Sequence, residues 1–213
     1  MSMSHYFSNQ ISTIEQLEAL NIGKPSQAVQ NKTITELDEH CINFIRKCPF
    51  VVLSTSNKDG KCDASPRGDH RGFVFVLDNK HLLLPERPGN KRMDSIHNIL
   101  SNPHIGLLFT IPGVEETLRI AGKAYITSDS KLLEKMAVNE KIPSLAIGVE
   151  VEECFIHCAK AFKRSKLWDS SSWIQKEERP NAAAILVDHI KIKELTLEKI
   201  EENLKESYTK RLY

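Results

Sequence analysis

The spacing of apolar residues changes along the chain from helical to alternating and back to helical. Within residues 1–47, apolar side chains recur three and four positions apart, which is typical of amphipathic helices. A capping box, Ser12-x-x-Glu15, predicts the start of a first helix. Residues 35–46 predict a second helix, and residues 21–32 predict a loop between the two. We therefore predict an N-terminal helical extension.

Residues 48–170 contain short apolar runs separated by turn signals, of which Asp59-Gly60 is the strongest hairpin signal. The predicted strands are residues 50–56, 61–65, 72–77, 82–85, 105–111, 117–127 and 144–156. The helices predicted between and after them are residues 91–101, 130–138 and 159–168. Hairpin connections favour antiparallel pairing, so we predict a mainly β fold with flanking helices, in which six to seven strands form a small closed barrel.

A helical pattern returns near the end of the sequence, where Leu197, Ile200, Leu204 and Tyr208 fall on one side of an amphipathic helix. This helix is expected to dock on its own barrel or on a partner. We thus divide one structural domain into a helical extension (1–47), a barrel (48–170) and a C-terminal extension (171–213). The sequence has no Gly-x-Gly-x-x-Gly and no alternation of strands and helices, which excludes a Rossmann domain.

Charge and composition exclude several classes of function. There are 29 Lys and Arg against 28 Asp and Glu, and a net charge of +1 argues against a nucleic-acid binder. RNA contact through the basic turns is disfavoured further because no aromatic residues alternate with the cations. No apolar run has transmembrane length and no secretory signal precedes the first helix, so we expect a cytoplasmic protein without a membrane partner.

The five cysteines are expected to be free thiols in a reducing compartment. Cys154 and Cys158 flank a histidine, but no second pair of ligands occurs at zinc-like spacing elsewhere, so no metal site is predicted.

The candidate chemistry lies in two basic turns. Arg87, Lys91 and Arg92 lie in a Pro-Gly turn immediately before a predicted helix. Cations next to the free N–H groups of a helix start bind phosphate groups well. A second basic turn, 65–69, precedes this one by about one hairpin. The sequence therefore predicts a phosphorylated ligand held between two turns of a β-structure.

The order of these segments resembles that of a known family. The segments concerned are residues 65–69, 82–100, 106–109 and 117–124. Together they are similar to the pyridoxamine 5′-phosphate oxidase-like flavoproteins, which are FMN-binding split barrels. Residues 154–168 narrow the match to an uncharacterised bacterial branch. The resemblance spans about residues 35–170.

The resemblance implies a homodimer with two FMN sites at the subunit interface. It assigns phosphate contacts to Asn90, Lys91 and Arg92, with Arg87 beside them. Contacts to the ring, the phosphate and the ribityl chain are expected from residues near two strand ends, namely Ser65, Pro66, Arg67, Gly68, Pro85 and Glu86. Thr117 and Arg119 are expected to contribute from across the interface. Residues after the last strand that would reach the flavin are Lys160, Arg164, Ser165 and Trp168, although a basic exposed helix with one core tryptophan explains these equally well.

The function implied is two-electron transfer between flavin N5 and an unidentified small molecule, without a dedicated protein acid or base. The alternatives are an FMN carrier or sensor without turnover, and a binder of another anionic cofactor such as haem or a deazaflavin. For haem, His70, His104 or Cys62 are candidate ligands, although none has supporting spacing. The family oxidase carries Arg-Leu-His with a second arginine where this sequence has Lys210-Arg-Leu-Tyr213, so the resemblance does not extend to oxidation of vitamin B6 phosphate.

Overall fold

The computed structural model describes residues 6–213, so residues 1–5 of the predicted helical extension lie outside the described residues. The chain divides into two compact units, one ending at Thr33 and the other spanning Ile34–Tyr213. The described part of the first unit contains α1 (Ile14–Glu18) and α2 (Gln27–Asn31).

The N-terminal unit differs from its prediction in two details. Thr13, not Ser12, is the N-cap of α1, since its hydroxyl accepts a hydrogen bond from the Gln16 N–H. The Gln16 side chain in turn accepts from the Ser12 N–H, so the cap lies one residue later than predicted. The predicted loop contains α2, which begins because the Ser26 side chain caps it.

The second unit contains a seven-stranded antiparallel sheet. Its strands are β1 (Phe50–Ser56), β2 (Cys62–Gly68), β3 (Phe75–Val76), β4 (His81–Pro85), β5 (His104–Thr110), β6 (Thr117–Thr127) and β7 (Ala146–His157). Its helices are α3 (Glu39–Lys47), α4 (Asp94–Ser101), α5 (Ser130–Glu134), α6 (Lys160–Ser165), α7 (Ala182–Ile190) and α8 (Leu197–Lys210), with short 3₁₀ turns at Ser170–Ser172 and Lys176–Glu178. The predicted fold class, mainly β with flanking helices and seven antiparallel strands, is confirmed.

The strands are ordered β2-β1-β5-β6-β7-β4-β3, so the sheet has two edges and is not the closed barrel that we predicted. Two features leave these edges unpaired. Pro66 lies in β2 opposite Val52 and has no N–H to offer a further strand. The predicted third strand shrinks to two residues, because Phe73 and Val74 are buried in the core before pairing begins.

The long β6–β7 pair is irregular at Gly122, where the register shifts by one residue. A side chain at this position would collide with the Glu150 carbonyl oxygen, so the bulge requires glycine. The core on which the sheet packs combines alternating residues of the strands, such as Leu53, Leu107 and Ile120, with Ile45 of α3 and Ile96 of α4. This core packing holds α4 against β1.

The C-terminal region contains the predicted α8 and also α7, which was not predicted. Asn181 caps α7 by accepting hydrogen bonds from the N–H groups of Ala183 and Ala184. Ile200 of α8 is buried, and the two helices pack together. Among residues 6–213, no helix is long and apolar enough to cross a membrane.

Candidate functional site

A large cavity of about 1070 Å³ lies between the end of β2 and the loop after β4. Its wall is formed by the end of β2, the loop after β4, the start of α4, the loop before β7, and residues 212–213. The lining residues are 63–68, Phe73, 85–95, 141–145, Leu212 and Tyr213. Its volume is slightly above the range of roughly 300–1,000 Å³ that is usual for small-molecule sites.

The cavity brings the two predicted basic segments together. Its lining includes ten of the predicted site residues: Ser65, Pro66, Arg67, Gly68, Pro85, Glu86, Arg87, Asn90, Lys91 and Arg92. One detail of the prediction is wrong, because residues 65–68 belong to the end of β2 and pair with β1 instead of forming a turn. Alternation along β2 turns the side chains of Ser65 and Arg67 to the more buried side.

The start of α4 leaves backbone donors at the cavity. Its N-cap residue, Met93, adopts a left-handed conformation with φ of 57° and makes no capping hydrogen bond through its side chain. Lys91 is also left-handed, with φ of 61°. The Asn90 side chain accepts a hydrogen bond from the Arg92 N–H, which shapes the loop. The first N–H groups of a helix have no intrahelical acceptor, so these donors are available to an anion.

The two cations before α4 differ in their pairing. The Arg92 Nε atom lies 2.7 Å from Asp94 Oδ2, and both side chains are exposed. This pairing raises the pKa of Arg92 and lowers that of Asp94. Within the described residues, no acidic partner is found for Lys91. An exposed ion pair contributes little to stability, so Arg92 can exchange Asp94 for a ligand at little cost.

Arg67 lies deeper in the cavity wall, with 17% of its side chain exposed. Its Nη1 donates to Glu86 Oε2 at 2.5 Å, and its Nη2 donates to the Ser95 hydroxyl at 3.2 Å. The Ser95 hydroxyl donates onward to Asp63 Oδ2 at 2.8 Å. The Arg67 Nε is buried and has no hydrogen-bond partner among residues 6–213. A buried unsatisfied N–H is costly, and a ligand acceptor is one way to satisfy it.

Asp69, directly after β2, is the centre of a second polar cluster, and its side chain is 0% exposed. Its Oδ2 accepts from Arg87 Nε at 2.7 Å, and its Oδ1 accepts from the Tyr213 hydroxyl at 2.6 Å and from the His70 N–H at 2.7 Å. Burial alone would raise the pKa of the Asp69 carboxyl. Hydrogen bonds from Tyr213, His70 and Arg87 outweigh it and lower the pKa to about 2.

Six predicted residues lie outside the cavity in the single chain: Thr117, Arg119, Lys160, Arg164, Ser165 and Trp168. The Arg119 guanidinium stacks over the Phe155 ring at 5.6 Å. The Trp168 indole N–H donates to the Val114 carbonyl at 2.9 Å, and its ring lines a separate hollow of about 330 Å³. The haem-ligand candidates His70, His104 and Cys62 do not line the large cavity either.

Several lining residues were missed by the sequence analysis. Alternation along β2 places Asp63 on the same side as Arg67, so this residue could have been found from the predicted strand. Lys141 and Tyr213 come from segments distant in sequence, and nothing in their local pattern indicates the cavity.

These segments match a known family. The family model described as pyridoxamine 5′-phosphate oxidase matches residues 37–158, more than half of the chain. The chain belongs to this family. The match confirms the resemblance seen in the sequence, and the matched range includes all of β1–β7 and α4. No curated protein is significantly similar in sequence.

Three solved structures of similar fold are from bacteria. HupZ of Group A Streptococcus is 18% identical, with a TM-score of 0.46, over 56% of this chain and 93% of that chain. General Stress Protein 26 of Bacillus anthracis is 20% identical, with a TM-score of 0.43, over 54% of this chain and 88% of that chain. An FMN-binding protein of Syntrophomonas wolfei is 8% identical, with a TM-score of 0.43, over 55% and 81%.

Proposed function

We propose that this member of the pyridoxamine 5′-phosphate oxidase family is a cytoplasmic FMN-binding flavoprotein that transfers two electrons to or from a small molecule. One observation carries the proposal: residues 65–68 and 85–92 line the same cavity, beside the start of α4, which has no side-chain cap. Cations, free backbone N–H groups and a volume of about 1070 Å³ suit a ligand with a phosphate at one end and a large ring system.

The donor set fits the phosphate of FMN. Lys91, Arg92 and the N–H groups at the start of α4 would hold the phosphate oxygens by charge-assisted hydrogen bonds. Arg67 would satisfy its buried Nε on a ligand acceptor, while Glu86 and Ser95 hold its guanidinium in place. Pro85 and Glu86 would border the ribityl chain and ring. FMN, when bound, supplies two-electron redox chemistry through its ring.

The first test is the absorbance spectrum of freshly purified protein, followed by heat release and identification of the ligand. Flavin absorbance and released FMN in a ratio near one per chain are expected. A protein that is colourless and takes up no added FMN would remove the proposal. A Soret band would select haem, and a released deazaflavin would select that cofactor. Bound FMN that no donor or acceptor reduces or reoxidises would select the carrier or sensor function.

We further propose that the protein is a homodimer in which Thr117, Arg119, Lys160, Arg164, Ser165 and Trp168 reach the FMN bound in the cavity of the other copy. Four of these side chains are exposed in the single chain and do not line its cavity, namely Arg119, Lys160, Arg164 and Ser165. Their exposure supports a contact with the other copy. Arg164 is the best probe, since it is an exposed cation on the short α6 and its loss leaves the core intact.

Subunit complementation tests this arrangement. Lys91→Ala/Arg92→Ala damages the cavity of its own subunit, whereas Arg164→Ala damages the contact made to the partner. A heterodimer of the two variants keeps one intact site, so we expect one FMN per heterodimer at wild-type affinity and weak binding by both homodimers. Titration of separately tagged, co-purified heterodimers measures this. A heterodimer in which neither site binds FMN at wild-type affinity would contradict contact across subunits.

A further inference from the structure

Tyr213 makes three specific contacts with the cavity wall. Its hydroxyl donates to Asp69 Oδ1 at 2.6 Å, and its carbonyl oxygen accepts from Lys141 Nζ at 2.6 Å. The Arg87 guanidinium lies over its ring, 5.5 Å from the centroid. One residue thus joins the segment after β2, the loop after β4 and the loop before β7.

The anchor for this contact is built into the site. Asp69 is fully buried and held by Arg87, so its carboxylate is fixed in position for the Tyr213 hydroxyl. Its low pKa keeps it an acceptor across the neutral range, and the same hydrogen bond raises the pKa of Tyr213 and keeps its hydroxyl protonated. A buried charge held by several donors is a strong hydrogen-bond acceptor.

Tyr213 lies outside the helix that precedes it. The helix α8 ends at Lys210, and Arg211 leaves the helical conformation with φ of −126° and ψ of 32°. Leu212 is exposed at the cavity, and only Tyr213 is anchored among Asp69, Arg87 and Lys141. The packing of α8 through its buried Ile200 therefore does not depend on residues 212–213.

We infer that residues 212–213 form a latch that closes the cavity over bound FMN, with Tyr213 as its anchor. This inference rests on the proposed function. Because Tyr213 ties three segments of the wall together, a ligand enclosed by them leaves only after these contacts open. The latch therefore sets how long the ligand remains bound, and it acts through the wall without holding the phosphate.

The dissociation rate of FMN from the full-length protein tests the latch. Loaded protein is diluted and the recovery of free-flavin fluorescence is followed. Tyr213→Ala removes both the hydroxyl and the ring, and we expect release to become about tenfold faster, as for the loss of a hydrogen bond to a charged group. Tyr213→Phe keeps the ring over Arg87 and is expected to accelerate release by a smaller factor. This second variant tests the hydroxyl alone even if Tyr213→Ala does not fold.

Tyr208→Ala is the matched control, since this tyrosine lies on α8 with 64% of its surface exposed and does not line the cavity. Its release rate should equal that of the wild type. Unchanged release in both Tyr213 variants would overturn the latch and leave FMN binding standing. A wild-type protein that binds no FMN would overturn the proposed function, and the latch over FMN with it.

Discussion

Replacing Lys91 and Arg92 together by alanine is expected to give a folded protein that is purified without flavin. Each charge-assisted hydrogen bond to a phosphate contributes about 1.5–3 kcal/mol, so loss of both should weaken FMN binding by roughly 100-fold or more. The fold should not suffer, because both side chains are exposed and the ion pair of Arg92 with Asp94 is a surface pair. The measurement is the FMN dissociation constant by fluorescence quenching, with circular dichroism to verify folding.

Lys131→Ala/Lys135→Ala provides the control for this double substitution. It also removes two exposed cations, from α5 and its C-cap, and neither residue lines the cavity. Net charge changes equally in both variants, so a general electrostatic effect would weaken binding in both. Stoichiometric FMN in the Lys91 and Arg92 variant would show that the phosphate lies elsewhere. The difference between the variants should also shrink at high salt, since exposed charges are screened.

The two single variants separate the roles of the cations. Lys91 has no acidic competitor among the described residues, whereas Arg92 must leave Asp94 to contact a ligand. We therefore expect Lys91→Ala to weaken binding more than Arg92→Ala.

The sheet could largely be predicted from sequence, because alternation and turn chemistry are local signals. The bounds of β6 are as predicted, and β1 also agrees, since apolar and β-branched runs next to Asp-Gly or Pro-Gly turns leave few other choices. The third strand was predicted too long, because a sequence pattern does not distinguish apolar residues of a strand from apolar residues of a buried loop such as Phe73 and Val74. They fill the core, while the preceding Gly72 N–H bonds to the Cys48 carbonyl.

Helices without a clear amphipathic pattern were harder to find. The helix α7 begins with Ala-Ala-Ala-Ile-Leu-Val and is apolar around much of its circumference, so no periodicity marks it. Its signal was the Asn181 cap followed by good helix formers. The closed barrel was predicted from hairpin connectivity, but closure depends on both edges pairing, which Pro66 and the short β3 prevent.

The cavity could be predicted only in part. Residues 65–68 and 85–92 carry their chemistry in short basic segments, and both lie in the cavity wall. Lys141 and Tyr213 were not predicted, because their roles arise from contacts between positions far apart in sequence. Tyr213 and Asp69 are 144 positions apart and meet through the tertiary fold alone. A cavity wall built from such contacts has no local sequence signature.

Asp69→Asn is expected to lower the free energy of unfolding near neutral pH by about 2 kcal/mol. The pKa of this carboxyl falls from 3.8 to about 2 on folding, and each unit corresponds to about 1.4 kcal/mol. A carboxyl whose pKa is lowered in the folded state stabilises the protein fully above its unfolded pKa. This contribution is lost as the pH falls from about 4 to about 2, where the carboxylate becomes protonated in the folded state as well.

The pH dependence of the free energy of unfolding therefore distinguishes the contribution of the Asp69 charge from that of its packing. Denaturant unfolding of both proteins near neutral pH and in acid should give a difference that is largest near neutral pH and nearly absent by about pH 2. Asp78→Asn is the control, since Asp78 also pairs with a histidine but has 54% of its side chain exposed. It should change stability little at any pH. An equal loss for Asp69→Asn at both pH values would mean that the asparagine disturbs the packing of Arg87 and Tyr213, and that the charge of the carboxylate contributes little to the fold.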